Sequence, residues 1–119
     1  MESREMFLEE LANSLDYWVR EIVTVLLDAG ADLTWTDSPD SFRKLQGAIA
    51  AQRLAKEDVE PVVNESLQGL VISVLTIIDG GTDLARQLRL AIVDQSGTSL
   101  GEGLDDEFLR HLVKTGRMK

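Results

Sequence analysis

The stretch from Asn64 to Gly81, read NESLQGLVISVLTIIDGG, constrains this chain more than any other. It sets Leu67, Leu70, Val71, Ile72, Val74, Leu75, Ile77 and Ile78 close together and then stops abruptly at Asp79-Gly80-Gly81. A segment apolar on nearly all sides must be covered on nearly all sides, by the rest of the chain or by a second copy. The expectation is a central helix from Val59 to Ile78, the most buried element of the fold, with Pro61 tolerated only near its first turn. The β-branched residues keep strand as a rival reading, but about 20 residues without a turn signal is long for a strand. The apolar run from Leu67 to Ile78 reads as too short to span a bilayer and is interrupted by Ser73 and Thr76.

Two helices are expected ahead of it. From about Ser3 to Ala29, Phe7, Leu8, Leu11, Leu15, Trp18, Val19, Ile22, Val25 and Leu26 recur at three- and four-residue steps, the period of an amphipathic helix, and Gly30 reads as its left-handed stop. Trp18 belongs to that apolar stripe and is assigned to the core; Tyr17 lies at the stripe's edge. Asp32 to Thr36 is a connector, and Ser38-Pro39 reads as a capped helix start, because proline at the first helical position lacks only an amide that has no partner there. Phe42, Leu45 and Ile49 point inward along this second helix to about Leu54, weakened by Gly47. Ala55 to Asp58 is a break.

After Gly81 the period changes. Leu88, Leu90 and Ile92 alternate with Arg89 and Ala91, the pattern of a strand with one wet face. Asp94-Gln95-Ser96-Gly97 is a turn, and Thr98 to Leu100 a short return strand. A last helix from Leu104 to Thr115 carries Leu104, Phe108, Leu109, Leu112 and Val113 inward and stops at Gly116. The fold expected is therefore α+β and mainly helical, with long amphipathic helices packed against one β-hairpin and a C-terminal helix, in a single domain over residues 1–119. An all-α bundle is the alternative, should Leu88 to Val93 continue a helix.

Charge narrows the partners. Twelve Lys+Arg against 21 Asp+Glu give a net charge of -9, the wrong sign for displacing counterions from nucleic-acid phosphate or for an anionic membrane surface. A basic protein partner is compatible with it. With no cysteine, disulfides, thiolate catalysis and Cys-ligated metals are out. The N-terminus, charged from its second residue, has no signal-peptide apolar region, so a cytoplasmic location is expected.

Few residues suggest chemistry. His111, the single histidine, follows Glu107 by four residues, close enough to pair, but metal sites need three or four ligands and no second histidine is available. Glu102, Asp105, Asp106 and Glu107 form an acidic run at the hairpin-to-helix junction. Carboxylates in a first helical turn are stabilised by its free amides, and the same run is the candidate contact for a basic partner. Gly101-Glu102-Gly103 lacks the alternating ligands of a calcium loop. Trp35, an aromatic in a connector, either plugs the core or meets a partner. Nucleotide, phosphate and hydrolase motifs are absent from the sequence. No catalytic residue and no cofactor are assigned.

The wide apolar surfaces of the first and central helices exceed what two further helices and a hairpin cover, which points to a homodimer. In layout, the run Tyr17-Trp18-Val19-Arg20-Glu21 in a first helix, a capped middle region, a long apolar helix, a charged hairpin and Gly103-Leu104-Asp105-Asp106-Glu107-Phe108 opening the last helix resembles small acidic bacterial proteins of unknown function, some of them similar to the immunity proteins encoded beside toxins. That resemblance implies a non-enzymatic binding or accessory protein with its acidic surface toward a partner. The competing expectation is a small-molecule binding domain or small enzyme with a pocket near the hairpin and Trp35.

Overall fold

The computed structural model describes residues 2–118. Four α-helices carry the fold: α1 (Ser3–Leu27), α2 (Pro39–Ala51), α3 (Lys56–Ile78) and α4 (Leu104–Lys114), with a 3-10 turn at Asp83–Arg86 between the last two. The chain divides into two compact units, Met1–Ser14 with Gln68–Lys119 and Leu15–Leu67, and α1 and α3 each supply residues to both.

The expected hairpin is not there. Among the described residues no strand forms, and the fold is all-α. The segment keeps only its reversal: a single antiparallel bridge joins Val93 and Ser99, with Asp94 N–H donating to the Thr98 carbonyl and Leu100 N–H to Ile92. The Asp94 carboxylate organises the turn by accepting from the Ser96 and Thr98 amides and the Ser96 hydroxyl. A lone two-stranded ladder is marginal without a cover, and here Leu88, Leu90 and Val93 lie exposed. Nor does Leu88 to Val93 continue a helix; the segment is irregular.

In the first unit the core is built by α4 against the start of α1 and the second half of α3. Leu104, Phe108 and Leu112 are its largest fully buried side chains, joined by Leu8, Ala12 and Leu75. These three positions of α4 are four apart, one helix face; Val113, expected inward, is exposed. Asp105, Asp106 and Glu107 occupy the first turn of α4 and His111 and Lys114 its last, the charge order its dipole favours. Gly103, at the cap, offers no side chain; the Asp79 carboxylate instead accepts from the Asp105 amide at 2.8 Å. The acid that closes α3 thus caps α4.

α3 is helical throughout, which decides against the strand rival, but it starts at Lys56, three residues earlier than expected. Asp58 reaches back to accept from the Ala55 amide at 2.8 Å, so Pro61 stands inside the helix. The helix ends with Gly80 at φ 80° and Gly81 N–H donating to Thr76, the left-handed closure that glycine alone adopts without strain. A Cβ on Gly81 would sit 2.7 Å from the Thr76 methyl. The expectation that α3 is the most buried element fails: only Gln68 and Leu75 are buried in it, because α4 rather than α3 fills the core.

In the Leu15–Leu67 unit, Leu15, Val19, Val23 and Leu33 are buried. Trp18, expected in the core, is 55% exposed; the inward row runs Leu15-Val19-Val23, one position round from it. Leu45, expected inward on α2, is also exposed. α1 ends at Leu27 with no basic residue in its last turn, and its terminal carbonyls are met from α2: buried Gln46 donates to Val25 and Asp28, and Arg43 donates to Ala29 and Ala31 and to the Gln46 side-chain oxygen. Gly30 is not a left-handed stop; the Asp28 carboxylate turns the chain by accepting its amide. Ser38 holds the cap position of α2 without a side-chain cap bond, its amide donating to the Thr36 hydroxyl instead.

Candidate functional site

The acidic junction is largely committed to the fold. Glu107 lies 2.8 Å from Arg110 and 3.9 Å from Arg4 of α1, and Arg4 also donates to the Glu102 backbone carbonyl at 2.9 Å. Gly101 makes room for that arginine: a Cβ there would lie 2.9 Å from its guanidinium. The Asp105 carboxylate accepts from the Asp106 amide at 2.8 Å and from the Thr76 hydroxyl at 3.2 Å. Partial burial works to raise the Asp105 pKa, but the Asp106 amide and the contacts with Asp79 and Thr76 outweigh it and hold the carboxyl below its ordinary range. The Glu102 and Asp106 side chains remain exposed. Of the four acids expected to face a partner, two are engaged internally and two are displayed.

His111 does not pair with Glu107. Its Nε2 lies 2.9 Å from Glu9 of α1, whose other carboxylate oxygen accepts from Arg117 at 2.6 Å, while Arg117 also donates to Asn13 at 2.8 Å. This cluster pins α4 and the chain beyond it to α1. The Arg117 hydrogen bond holds the Glu9 carboxyl below its ordinary value, against some desolvation and with help from His111. Among the described residues no group of three or more His, Asp or Glu is placed to hold a metal.

Sequence reasoning missed Arg4, Glu9 and Arg117, which meet partners 98 to 108 positions away in the chain; no local spacing signals such a pairing. A signal did exist for a third feature. Tyr17, Trp18, Glu21, Ile22 and Val25 share one face of α1, and with Trp35 they line a cavity of about 260 Å³ within the Leu15–Leu67 unit. Trp35 is not a plug: it is 55% exposed, its indole N–H donates to the Asp32 carbonyl at 2.8 Å, and its ring meets Phe42 edge-on at 5.3 Å. A separate cavity of about 310 Å³ in the other unit lies beside the irregular segment, lined by Ile78, Asp79, Arg89, Leu90, Ser99 and Glu102 among others. Of the two places named for an expected pocket, Trp35 lines the first of these cavities and the irregular segment borders the second.

α3 carries an exposed apolar stripe. Leu70 is 63% exposed, and Val74 and Ile77 follow it at four- and three-residue steps, so the three form one stripe. Gly69 and Ser73 stand beside them, with open space around Gly69. The stretch Lys56–Arg86 is long and apolar enough to cross a membrane by length and composition, and only 11% of its most apolar window is buried. Leu67 to Ile78, too short by itself, is only the middle of that stretch. No family model, curated protein or solved structure matches the chain.

Proposed function

We propose that this chain is a non-enzymatic interaction protein that works as a homodimer and, in an immunity-like manner, meets a basic protein partner. The observation that carries the dimer is the exposed stripe of Leu70, Val74 and Ile77 on α3. A water-facing stripe of this kind on a folded helix marks an interaction surface. Its occupant is a second copy. The stripe has no charged member to specify a different partner, and the same patch on two copies makes a self-complementary two-fold contact. Gly69 and Ser73 let two such helices approach closely. A bilayer suits this face less well, since the chain's net charge of -9 repels anionic lipid. The basic partner rests on that charge and on the displayed Glu102 and Asp106, whose effect is chiefly on encounter rate. A cytoplasmic setting accompanies this reading.

Light scattering at micromolar concentration tests the dimer. The expected mass is twice the 13.2 kDa of one chain, falling to one chain's mass in the Leu70→Glu variant. A wild-type chain that stays at 13.2 kDa sinks the dimer, and flotation with phosphatidylcholine vesicles at that mass assigns the face to a bilayer instead. In a second arm, a basic protein found to bind is compared on wild type and on the Glu102→Gln/Asp106→Asn variant; equal association rates at low salt remove the acidic face from the reading.

A further inference from the structure

The cavity of the Leu15–Leu67 unit has a composition that selects its ligand. Tyr17 and Trp18 present two rings with centroids 5.6 Å apart and planes inclined at 39°, so their faces do not lie in one flat wall. Trp35 supplies a third aromatic surface from the connector. Its orientation is set before anything binds, because its N–H is used by Asp32 and its edge contact by Phe42. Ile22 and Val25 complete the lining without a polar group, and the one charged side chain in it is Glu21. Glu21 makes no ion pair or hydrogen bond among the described residues, and no lysine or arginine lines the space.

Electron-rich ring faces attract a cation whose charge is spread over apolar surface. A carboxylate at the rim adds Coulomb attraction without demanding hydrogen-bond donors from the ligand. An anion would meet Glu21 and find no cationic partner. A neutral apolar ligand would desolvate that carboxylate for no return. A hard metal ion would find a single carboxylate and rings it does not bind. The volume, about 260 Å³, is at the small end for ligand sites and suits a compact headgroup. We propose that Tyr17, Trp18, Trp35 and Glu21 form an aromatic cage for an alkylated ammonium group, whether a free quaternary amine or a methylated lysine side chain. This is independent of the homodimer, since none of the four residues belongs to the α3 stripe.

Both tryptophans of the chain line the cage, so intrinsic fluorescence reports occupancy directly. Titration with tetramethylammonium and choline is expected to give a saturable change at millimolar concentration. The neutral isostere 3,3-dimethyl-1-butanol should bind roughly three- to tenfold more weakly, the range expected for a cation on aromatic faces. A trimethyl-lysine peptide separates the two sources: tighter binding than tetramethylammonium assigns a protein tail, equal binding a free amine. Glu21→Gln should weaken choline about threefold or more without weakening the isostere, and Tyr17→Leu should weaken choline while both tryptophan reporters remain. Circular dichroism confirms that each variant is folded. No saturable change, equal binding of the isostere, or undiminished choline affinity in Glu21→Gln overturns the cage.

Discussion

α4 and α3 show opposite uses of apolar residues. α4 is the more polar helix, yet it places Leu104, Phe108 and Leu112 in the fully buried centre of its unit and turns Asp106 and Arg110 to water. α3 is apolar on most sides and buries only Leu75 and Gln68. The difference is one of pattern. A helix with one apolar face has a preferred way to pack, so spacing narrows which residues turn inward. A helix apolar all round satisfies one face within the chain and leaves the remainder for another surface. Amphipathicity therefore located the core of this molecule, while total hydrophobicity located a helix whose apolar stripe stays exposed.

The sharpest way to break that comparison is to remove one side chain from each helix. Phe108→Ala empties a site with no solvent exposure and is expected to destabilise the chain by about 3–5 kcal/mol. Leu70→Ser on α3 is expected to change the stability of the dilute monomer by no more than about 0.5 kcal/mol, as exposed substitutions do. Urea unfolding of both variants at low protein concentration reads the difference. Similar losses would mean that the Leu70 stripe is covered within a single chain.

The same contrast explains what was legible in the sequence. α4 was read correctly as a helix with buried Leu104, Phe108 and Leu112, because its first-turn acids and four-residue apolar step point to one answer. Val113, however, was placed inward and is exposed, and the Asp79 cap has no local signal. α3 was read correctly as a helix and wrongly as the core, because periodicity carries no information about which face of an all-apolar helix finds a neighbour. The hairpin failed for a related reason. Leu88, Leu90 and Ile92 alternate as a strand does, but alternation becomes a strand only with a ladder partner, and Gly97 and Gly101 leave three residues between them to supply one. Of the acidic junction, the sequence placed the charges but not Arg4, which neutralises part of them from the far end of the chain. The aromatic cage was half visible, since Tyr17, Trp18 and Glu21 fall on one helix face; what the sequence lacked was the path of the connector that brings Trp35 to them.

Acid sharpens the comparison from the side of α4. Glu9 of α1 holds His111 and Arg117, the end of α4 and the residue just beyond its stop. Its carboxyl sits below the ordinary value of 4.5, first because of the Arg117 hydrogen bond. A carboxyl with a depressed folded pKa contributes stability that is present above the unfolded pKa and is lost as pH falls through the folded one. Wild type should therefore lose stability as the pH drops below about 4.5, beginning with the α1–α4 contact. Glu9→Gln should be less stable than wild type at neutral pH and show a shallower loss in acid, with the remaining slope coming from Asp32, Asp94 and Asp105, whose carboxyls are also held low. Denaturant midpoints measured from about pH 3 to pH 7 decide it. Parallel wild-type and variant curves would remove Glu9 as the pin.

The smallest effect concerns how the helices stop. α3 and α4 both end on glycine in the left-handed conformation, Gly80 at φ 80° and Gly116 at φ 78°, with the following amide donating to the carbonyl three residues before the cap. α2 makes the same closure with an arginine: Arg53 stands at φ 56°, and Leu54 N–H donates to the Ile49 carbonyl at 3.0 Å. A left-handed residue with a Cβ crowds its own carbonyl, a strain glycine does not carry. Glycine also gains freedom in the unfolded chain, which offsets part of the relief. Arg53 forms no hydrogen bond or ion pair through its side chain among the described residues, so little else is lost on replacing it. Arg53→Gly is therefore expected to stabilise the chain by about 0.5–1 kcal/mol, and Arg53→Ala to be neutral, since alanine keeps the Cβ. Thermal unfolding of the three proteins side by side separates strain from charge: if alanine raises the midpoint as much as glycine does, the gain comes from removing the guanidinium and the left-handed closure of α2 is unstrained.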